Sequence, residues 1–338
     1  MRPVRVALIG VGAIGASHAA TLMSSPLADL VVACDTDPNA GDRLPPGVPL
    51  VGSYSELFAT PDLEAVFICT PQAAHRIPTE LALERQLAVF CEKPIAPDLR
   101  DADAMIAAAR ETGGLLAIGH TLRFDPDYIS VQQAVSTGEL GTVISIACRR
   151  NIPDYEGRMI AQRTTLSNEV LIHDIDVVRW LAGDIERIYG ESSSQGVIGP
   201  GLTEAVVATM RLASGGVATL ESNWVMQSQT GPQSDFRLSV VGTLGMASID
   251  YFQGPVAVFG NRPRFPLNGW LADVYGSSVG TLRTEVEHFL RCVRGECTWP
   301  ISLSDARAAL LGAIALDASI RLAKPVALSD IESLASGE

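Results

Sequence analysis

The chain has 338 residues, 47% of them hydrophobic and 19% charged, long enough for two domains with separate cores. Its formal net charge is −13, which disfavours general binding to nucleic acid or to anionic membrane surfaces. No segment reaches the roughly 18 continuous apolar residues of a membrane helix, and Met1-Arg2-Pro3 leads into a predicted strand without a signal-peptide pattern, so a cytoplasmic protein is expected.

Residues 4–9, apolar except at Arg5, are followed by Gly10-Val11-Gly12-Ala13-Ile14-Gly15. The pattern reads as a buried strand, a glycine turn and the start of a helix, the fingerprint of a dinucleotide-binding βαβ unit. Gly10 makes the sharp turn, Gly12 lets backbone approach a pyrophosphate, and Gly15 lets helix and strand pack closely. Free N–H groups at the helix start, around Ala13 and Ile14, would hold the phosphate charge.

A second predicted strand, 30–34, ends at Asp35, 20 residues past Gly15. An acid there accepts hydrogen bonds from the adenosine ribose of NAD and repels the extra phosphate of NADP. No arginine or lysine follows before Arg43, so NAD is expected over NADP. The competing reading makes Asp35 only a cap on an exposed strand end.

Further along, strands are predicted at 65–69, 87–91 and 115–118, alternating with helices at 55–59, 78–84 and 102–110. That alternation implies a parallel sheet. The boundary is placed between residues 122 and 123. After it come a helix at 128–136, strands at 142–149, 205–212, 216–222, 237–242 and 246–250, and a helix at 170–181. Short turns make these strands antiparallel neighbours. Late helices are predicted at 281–293 and 302–322, the latter capped by Ser302 with Asp305 in its first turn. Loops are expected at 192–201, 227–234 and 261–269.

Several residues carry candidate chemistry. Cys69-Thr70-Pro71 ends a parallel strand on its carboxyl side, where open α/β sheets bind ligands, and His75 is placed to stabilise that loop. Glu92-Lys93-Pro94 follows another apolar strand; Lys93 can stabilise negative charge on a substrate oxygen. Around 168–176, Glu169 and His173 are four apart and His173 and Asp176 three apart, so a helix places them on one side. A neutral imidazole is a natural proton acceptor. His120, Arg123, Arg149 and Asn151 are further candidates for contacting hydroxyls or acidic groups. The six cysteines include no CxxC and read as reduced thiols. Cys292 and Cys297, on either side of Arg294-Gly295-Glu296, are included in that reading. His288 is read as a core or interface residue, and no metal site is expected.

The ordered set Gly10–Gly15, Cys69-Thr70-Pro71-Gln72 with His75, Glu92-Lys93-Pro94 and His173-Asp174-Ile175-Asp176 resembles the Gfo/Idh/MocA family of oxidoreductases over nearly the whole chain. The resemblance implies an α/β protein: an N-terminal Rossmann parallel sheet, then an α/β domain with a large, mainly antiparallel open sheet. One face of that sheet would carry helices and the substrate site. The other would make a homodimer or homotetramer, and the C-terminal helix would pack back on the first domain. It implies that Thr70, Pro71, His75 and Glu92 lie at or near the cofactor, and that Lys93 lies near the nicotinamide and the reacting hydroxyl. His173 would take the hydroxyl proton.

The implied activity is NAD-dependent oxidation of a secondary hydroxyl of a cyclitol, polyol or sugar, with an inositol 2-dehydrogenase the nearest concrete case. Family dehydrogenases commonly carry aspartate where Glu169 stands, so specificity is not transferred with the motif. The alternatives are a sugar or sugar-acid oxidoreductase that retains its cofactor and a non-enzymatic dinucleotide sensor.

Overall fold

The structure is a computed structural model and describes residues 2–227, 234–251, 258–259, 263–264 and 269–336. Two compact units emerge. Residues 2–125 and 269–307 form the first; the rest of the described chain forms the second. Segment 269–307 therefore joins the first unit, a grouping that no single cut between 122 and 123 describes.

The first unit is built on six parallel strands: β1 (Val4–Ile9), β2 (Ala28–Cys34), β3 (Leu50–Val51), β4 (Ala65–Ile68), β5 (Ala88–Glu92) and β6 (Leu116–Gly119), in the order β3-β2-β1-β4-β5-β6. Four helices intervene: α1 (Ala13–Ser24), α2 (Tyr54–Phe58), α3 (Arg76–Glu84) and α4 (Leu99–Thr112). Because both faces of β1 and β4 are covered, their side chains are almost all buried, as parallel sheets require. The strand order reverses beside β1, between β2 and β4, the switch point where such sheets bind ligands.

The helix Thr281–Val293 supplies Val286, Phe289 and Leu290 to this core. Phe289 meets Phe67 and Phe90 at 5.2 and 5.6 Å between ring centroids. Burying each such ring contributes about 2–3 kcal/mol. At the start of the helix Leu303–Leu322, Asp305 N donates to Ser302 Oγ at 3.0 Å, the cap expected from the sequence.

In the second unit, α5 (Pro126–Ser136) precedes β7 (Val143–Asn151) and α6 (Asp154–Ile160). A wider π turn, Ser167–Leu171, opens into α7 (Ile172–Ala182). Then come β8 (Ile185–Ser193), β9 (Ala205–Leu212), β10 (Val217–Asn223), β11 (Asp235–Gly242) and β12 (Met246–Asp250). The sheet order is β12-β11-β7-β10-β9-β8, extended by the short strand Val326–Ala327. Its pairings are antiparallel except β7 with β10, which is parallel.

Strict alternation along β9 buries Val206, Ala208, Met210 and Leu212 and turns Val207, Thr209 and Arg211 outward, the mark of a sheet covered on one face. Residues 308–322 lie on the covered side, where a Cβ at Gly190 would sit 2.4 Å from Leu316 and one at Gly312 would sit 2.7 Å from Ile175.

Two expectations need correction. The loop expected from 192 begins two residues late, because β8 continues to Ser193 by pairing with β9; its polar end hides the strand. The helix expected from 170 begins as the π turn. The loops expected at 227–234 and 261–269 fall mostly outside the described residues. Among the described residues, no helix is long and apolar enough to cross a membrane.

Candidate active site

The cofactor-binding candidates cluster at the carboxyl ends of β1, β2 and β4 in the first unit. Gly10 has φ +88°, and a Cβ there would sit 2.7 Å from the Cys69 and Thr70 backbone; at Gly15 it would lie 2.0 Å from Gly10 O. Both positions therefore exclude any side chain. Gly12 is the converse: it is exposed, and a Cβ there would meet nothing within 4 Å. It leaves open space at the N-terminus of α1, with Ala13 exposed and Ile14 half-buried beside it. The first N–H groups of a helix lack intrahelical acceptors and carry its positive dipole end. These features fit a dinucleotide pyrophosphate.

Asp35 follows β2 and closes on the same turn. Val11 N donates to its Oδ2 at 2.7 Å and Asp37 N to its Oδ1 at 2.9 Å. Each carboxylate oxygen keeps a further lone pair for a ribose hydroxyl. Arg43 is remote in sequence but not in the fold: Nε donates to Val11 O at 2.7 Å and Nη2 to Asp37 Oδ2 at 3.0 Å. Distance along the chain therefore does not remove a cation from this end of the site.

The Thr70-Pro71 and Lys93-Pro94 loops are joined through His75. Its Nε2 lies 2.8 Å from Thr70 O and its Nδ1 3.0 Å from Pro94 O. Burial pushes the His75 imidazole below its ordinary value, against the opposing pull of these carbonyls. With its ring turned to main chain and 1% exposed, His75 braces the Thr70-Pro71 loop against Pro94.

Lys93 is half-buried at the end of β5, and its backbone N donates to Glu92 Oε2 at 3.2 Å. Glu92 Oε1 lies 2.7 Å from His18 Nε2. Burial raises the Glu92 pKa, but the hydrogen bond and charge of His18, with help from Lys93, bring it below the ordinary value. Sequence reasoning missed His18, although a histidine three residues after Gly15, on the strand-facing side of α1, was the available signal. It also missed Glu285, fully buried on the helix Thr281–Val293. Burial, and then the charge of Glu92, push its carboxyl well above the ordinary value, opposed by the Thr121 hydroxyl.

His120 is buried after β6, and Arg123 is buried 3.5 Å from Asp305.

In the second unit, Glu169 lies in the π turn and His173 in the first turn of α7, both half-buried. Such wide turns recur at functional sites. Asp176 is 1% exposed. Asp174, between them, is held by Arg150 through Nε at 2.9 Å and Nη2 at 3.0 Å, and Arg150 also reaches Tyr128 Oη at 3.1 Å. This buried fork ties α7 to β7 and so fixes the helix that carries His173. Arg149 is engaged by Glu221 at 2.9 Å and Asp235 at 3.4 Å. Asn151 accepts from Asn223 N at 2.9 Å. The structure thus gives Arg149 and Asn151 partners on neighbouring strands, a bracing arrangement of the sheet.

An open parallel sheet with a glycine turn at its switch point and an acid at the next strand end defines a dinucleotide-binding protein of the Rossmann class. Residues 4–120 match the model of the oxidoreductase family with an NAD-binding Rossmann fold, and residues 128–248 match the GFO/IDH/MocA C-terminal domain. The chain is 30% identical over 311 residues to inositol 2-dehydrogenase 2 of Paenarthrobacter aurescens, covering 83% of this chain and 90% of that protein. It is also 30% identical over 212 residues to the uncharacterized oxidoreductase YrbE of Bacillus subtilis, a match spanning 60% of this chain and 59% of YrbE. The crystal structure of a putative myo-inositol dehydrogenase from Sinorhizobium meliloti 1021 superposes with a TM-score of 0.80 at 26% identity, covering 96% of this chain and 99% of that one. The chain belongs to the GFO/IDH/MocA family of oxidoreductases.

Proposed function

We propose that this protein is an NAD-dependent dehydrogenase that oxidises a secondary hydroxyl of a cyclitol to a ketone. The observation that carries the reading is the extended likeness to an inositol 2-dehydrogenase, 30% over 311 residues, in a chain that keeps both Lys93 and His173. Cofactor binding is assigned to residues 1–122, and substrate binding and oligomerisation to 123–338.

NAD, held by the glycine turn and Asp35, supplies the hydride acceptor. Lys93 donates a hydrogen bond to the substrate oxygen and stabilises the charge that develops there. His173 takes the hydroxyl proton as the C–H bond breaks, and Glu169 orients His173 or holds a neighbouring hydroxyl. Asp176, His120 and Arg123 belong to the surroundings of the substrate. The Asp35 carboxylate favours NAD over NADP by repelling a 2′-phosphate.

Ile144, Val207, Val217, Val241 and Met246 are exposed on strands of the second sheet, from 37% for Val241 to 64% for Met246. These exposed apolar side chains, set among Thr209, Arg211 and the Arg149–Glu221 pair on the same sheet, favour a homo-oligomer, which light scattering of the purified protein tests. Free thiols at all six cysteines fit a reducing compartment such as the cytoplasm.

The deciding experiment incubates the protein with NAD or NADP and a panel of inositols, aldoses and sugar acids, reading reduced nicotinamide. Turnover of an inositol with NAD supports the proposal. Turnover confined to aldoses or sugar acids overturns the cyclitol assignment. Bound cofactor without turnover of any panel member overturns the dehydrogenase assignment on these substrates.

A further inference from the structure

We propose that His288, Cys292 and Cys297 form a binding site for one thiophilic divalent cation of the zinc(II) class. The site lies within the first unit, and the proposal stands independently of the dehydrogenase reading. His288 and Cys292 are four apart on the helix Thr281–Val293, a spacing that places two side chains on one face. The helix then ends in a reversal. Gly295, at φ +72°, donates to Cys292 O at 2.9 Å, and Glu296 N donates to Arg291 O at 2.9 Å. This turn, of a kind that glycine permits, carries Cys297 back onto the helix.

The result is three ligand types at close quarters. Cys292 Sγ and Cys297 Sγ are 3.4 Å apart, Cys297 Sγ is 3.7 Å from His288 Nε2, and all three atoms lie within 4.8 Å of one another. A tetrahedral zinc with Zn–S near 2.3 Å and Zn–N near 2.0 Å sets its donor atoms about 3.5–3.8 Å apart. The two separations at Cys297, 3.4 and 3.7 Å, lie close to those values, and the third is within 4.8 Å. A disulfide would instead need its sulfurs at about 2.05 Å, and both cysteines are free.

The local environment separates this pair from the other cysteines. Cys34, Cys69, Cys91 and Cys148 are buried, whereas Cys292 and Cys297 are half-buried, shielded yet open to an entering ion. The His288 ring is held by Phe124 and Trp299, with centroids at 5.4 and 5.9 Å. Its Nε2 faces Thr298 O at 3.1 Å.

Binding releases the two thiol protons to solvent. The imidazole proton moves to Nδ1, so that the Nε2 lone pair meets the ion. With three protein ligands, water completes the fourth position. The bound ion would clip the C-terminal end of a core helix to the segment that follows it.

The test titrates reduced, chelator-treated full-length protein with cobalt(II) and records its absorption, then adds zinc(II). The expected result is one cobalt per chain, with thiolate-to-cobalt charge transfer and the visible bands of a tetrahedral centre, both abolished by zinc. Cys292→Ser and Cys297→Ser should each lose about half the charge-transfer intensity and weaken binding at least tenfold. His288→Gln should retain charge transfer with altered visible bands, and Cys34→Ala should behave as the parent. The proposal is overturned by absence of these bands when thiol titration shows both cysteines reduced. It is also overturned by bands that survive in the Cys292→Ser/Cys297→Ser double variant, or by a Cys292–Cys297 disulfide that persists under reductant.

Discussion

His18 and Glu92 meet through a 2.7 Å contact between Nε2 and Oε1, joining α1 to the end of β5. The imidazole is 0% exposed and packs against Phe67 and Phe90 at 5.7 and 5.2 Å. Glu92 in turn receives the backbone N–H of Lys93. The helix that starts at the glycine turn is thereby tied to the residue assigned to polarise the substrate. His18→Phe removes the partner of a buried carboxylate and should cost about 2 kcal/mol of stability. If the link positions Lys93, kcat should fall while the Kd for NAD changes little. Denaturant unfolding, steady-state kinetics and cofactor titration separate the effects; an unchanged kcat would leave His18 with a purely structural role.

Lys93 and His173 have distinct assignments and should fail differently. Lys93→Met removes a donor to the developing oxyanion and should lower kcat/KM by about 10²–10³-fold. His173→Ala removes the proton acceptor, a loss of about 10²–10⁴-fold. Because the acceptor must be unprotonated, parent activity should fall towards low pH, and that dependence should be flattened in the His173 variant. NAD binding should survive the His173 change. Activity within threefold of the parent in either variant would remove that residue from the proposed chemistry.

The nucleotide preference rests on local charge. Asp35→Ser removes the carboxylate that holds the Val11 and Asp37 N–H groups and is assigned to the ribose. It should raise KM for NAD about tenfold, the equivalent of about 1.4 kcal/mol, and lower KM for NADP, whose 2′-phosphate is no longer repelled. Adding Arg43→Ala should raise KM for NADP again if the guanidinium beside Val11 attracts that phosphate. Paired kinetics with both nucleotides check the order of effects.

The parts of the fold that were legible from sequence are those in which side-chain pattern and turn chemistry agree. Ala65–Ile68 is an apolar run buried on both faces, Val4–Ile9 is buried except at Arg5, and Gly10 and Gly15 meet the close approaches that the spacing implied. Short or polar-ended elements were less legible. The strand ending at Ser193 and the strand Val326–Ala327 depend on tertiary pairing. Lys93 and His173 are candidates that a local sequence pattern can raise, and their roles rest on the variants described above. The site was not legible where partners lie far along the chain: His18 with Glu92, Arg43 with Val11, or Arg150 with Asp174. Cys292 and Cys297 read as reduced thiols near a helix end, and their linear spacing does not show how the turn at Gly295 brings their sulfurs to 3.4 Å.

Glu285 gives a pH dependence of known sign. Its carboxyl is raised well above 4.5 by burial and by Glu92, so the folded protein binds its proton more tightly than the unfolded chain does. Its contribution is fully present below the unfolded pKa and is lost as pH rises through the folded one. Glu285→Gln keeps the shape without the ionisation. Relative to the parent, the variant should gain stability progressively as pH rises above about 4.5. Denaturant midpoints compared at acidic, neutral and alkaline pH test this; a difference independent of pH would show that the carboxyl does not titrate as proposed.

Arg150 and Asp174 provide the corresponding test in the second unit. Their paired contacts of 2.9 and 3.0 Å lie where the two side chains are 7% and 2% exposed. Arg150→Met leaves Asp174 buried with its partner removed and should cost about 3–5 kcal/mol. Asp174→Asn alone should also destabilise, because the buried guanidinium loses its counter-charge. The double variant should recover part of the loss, since neither unmatched charge remains. Recovery of stability without recovery of kcat would show that the fork also sets the orientation of α7 and hence of His173. Full additivity of the two single losses would instead show that the pair is not coupled, despite its geometry.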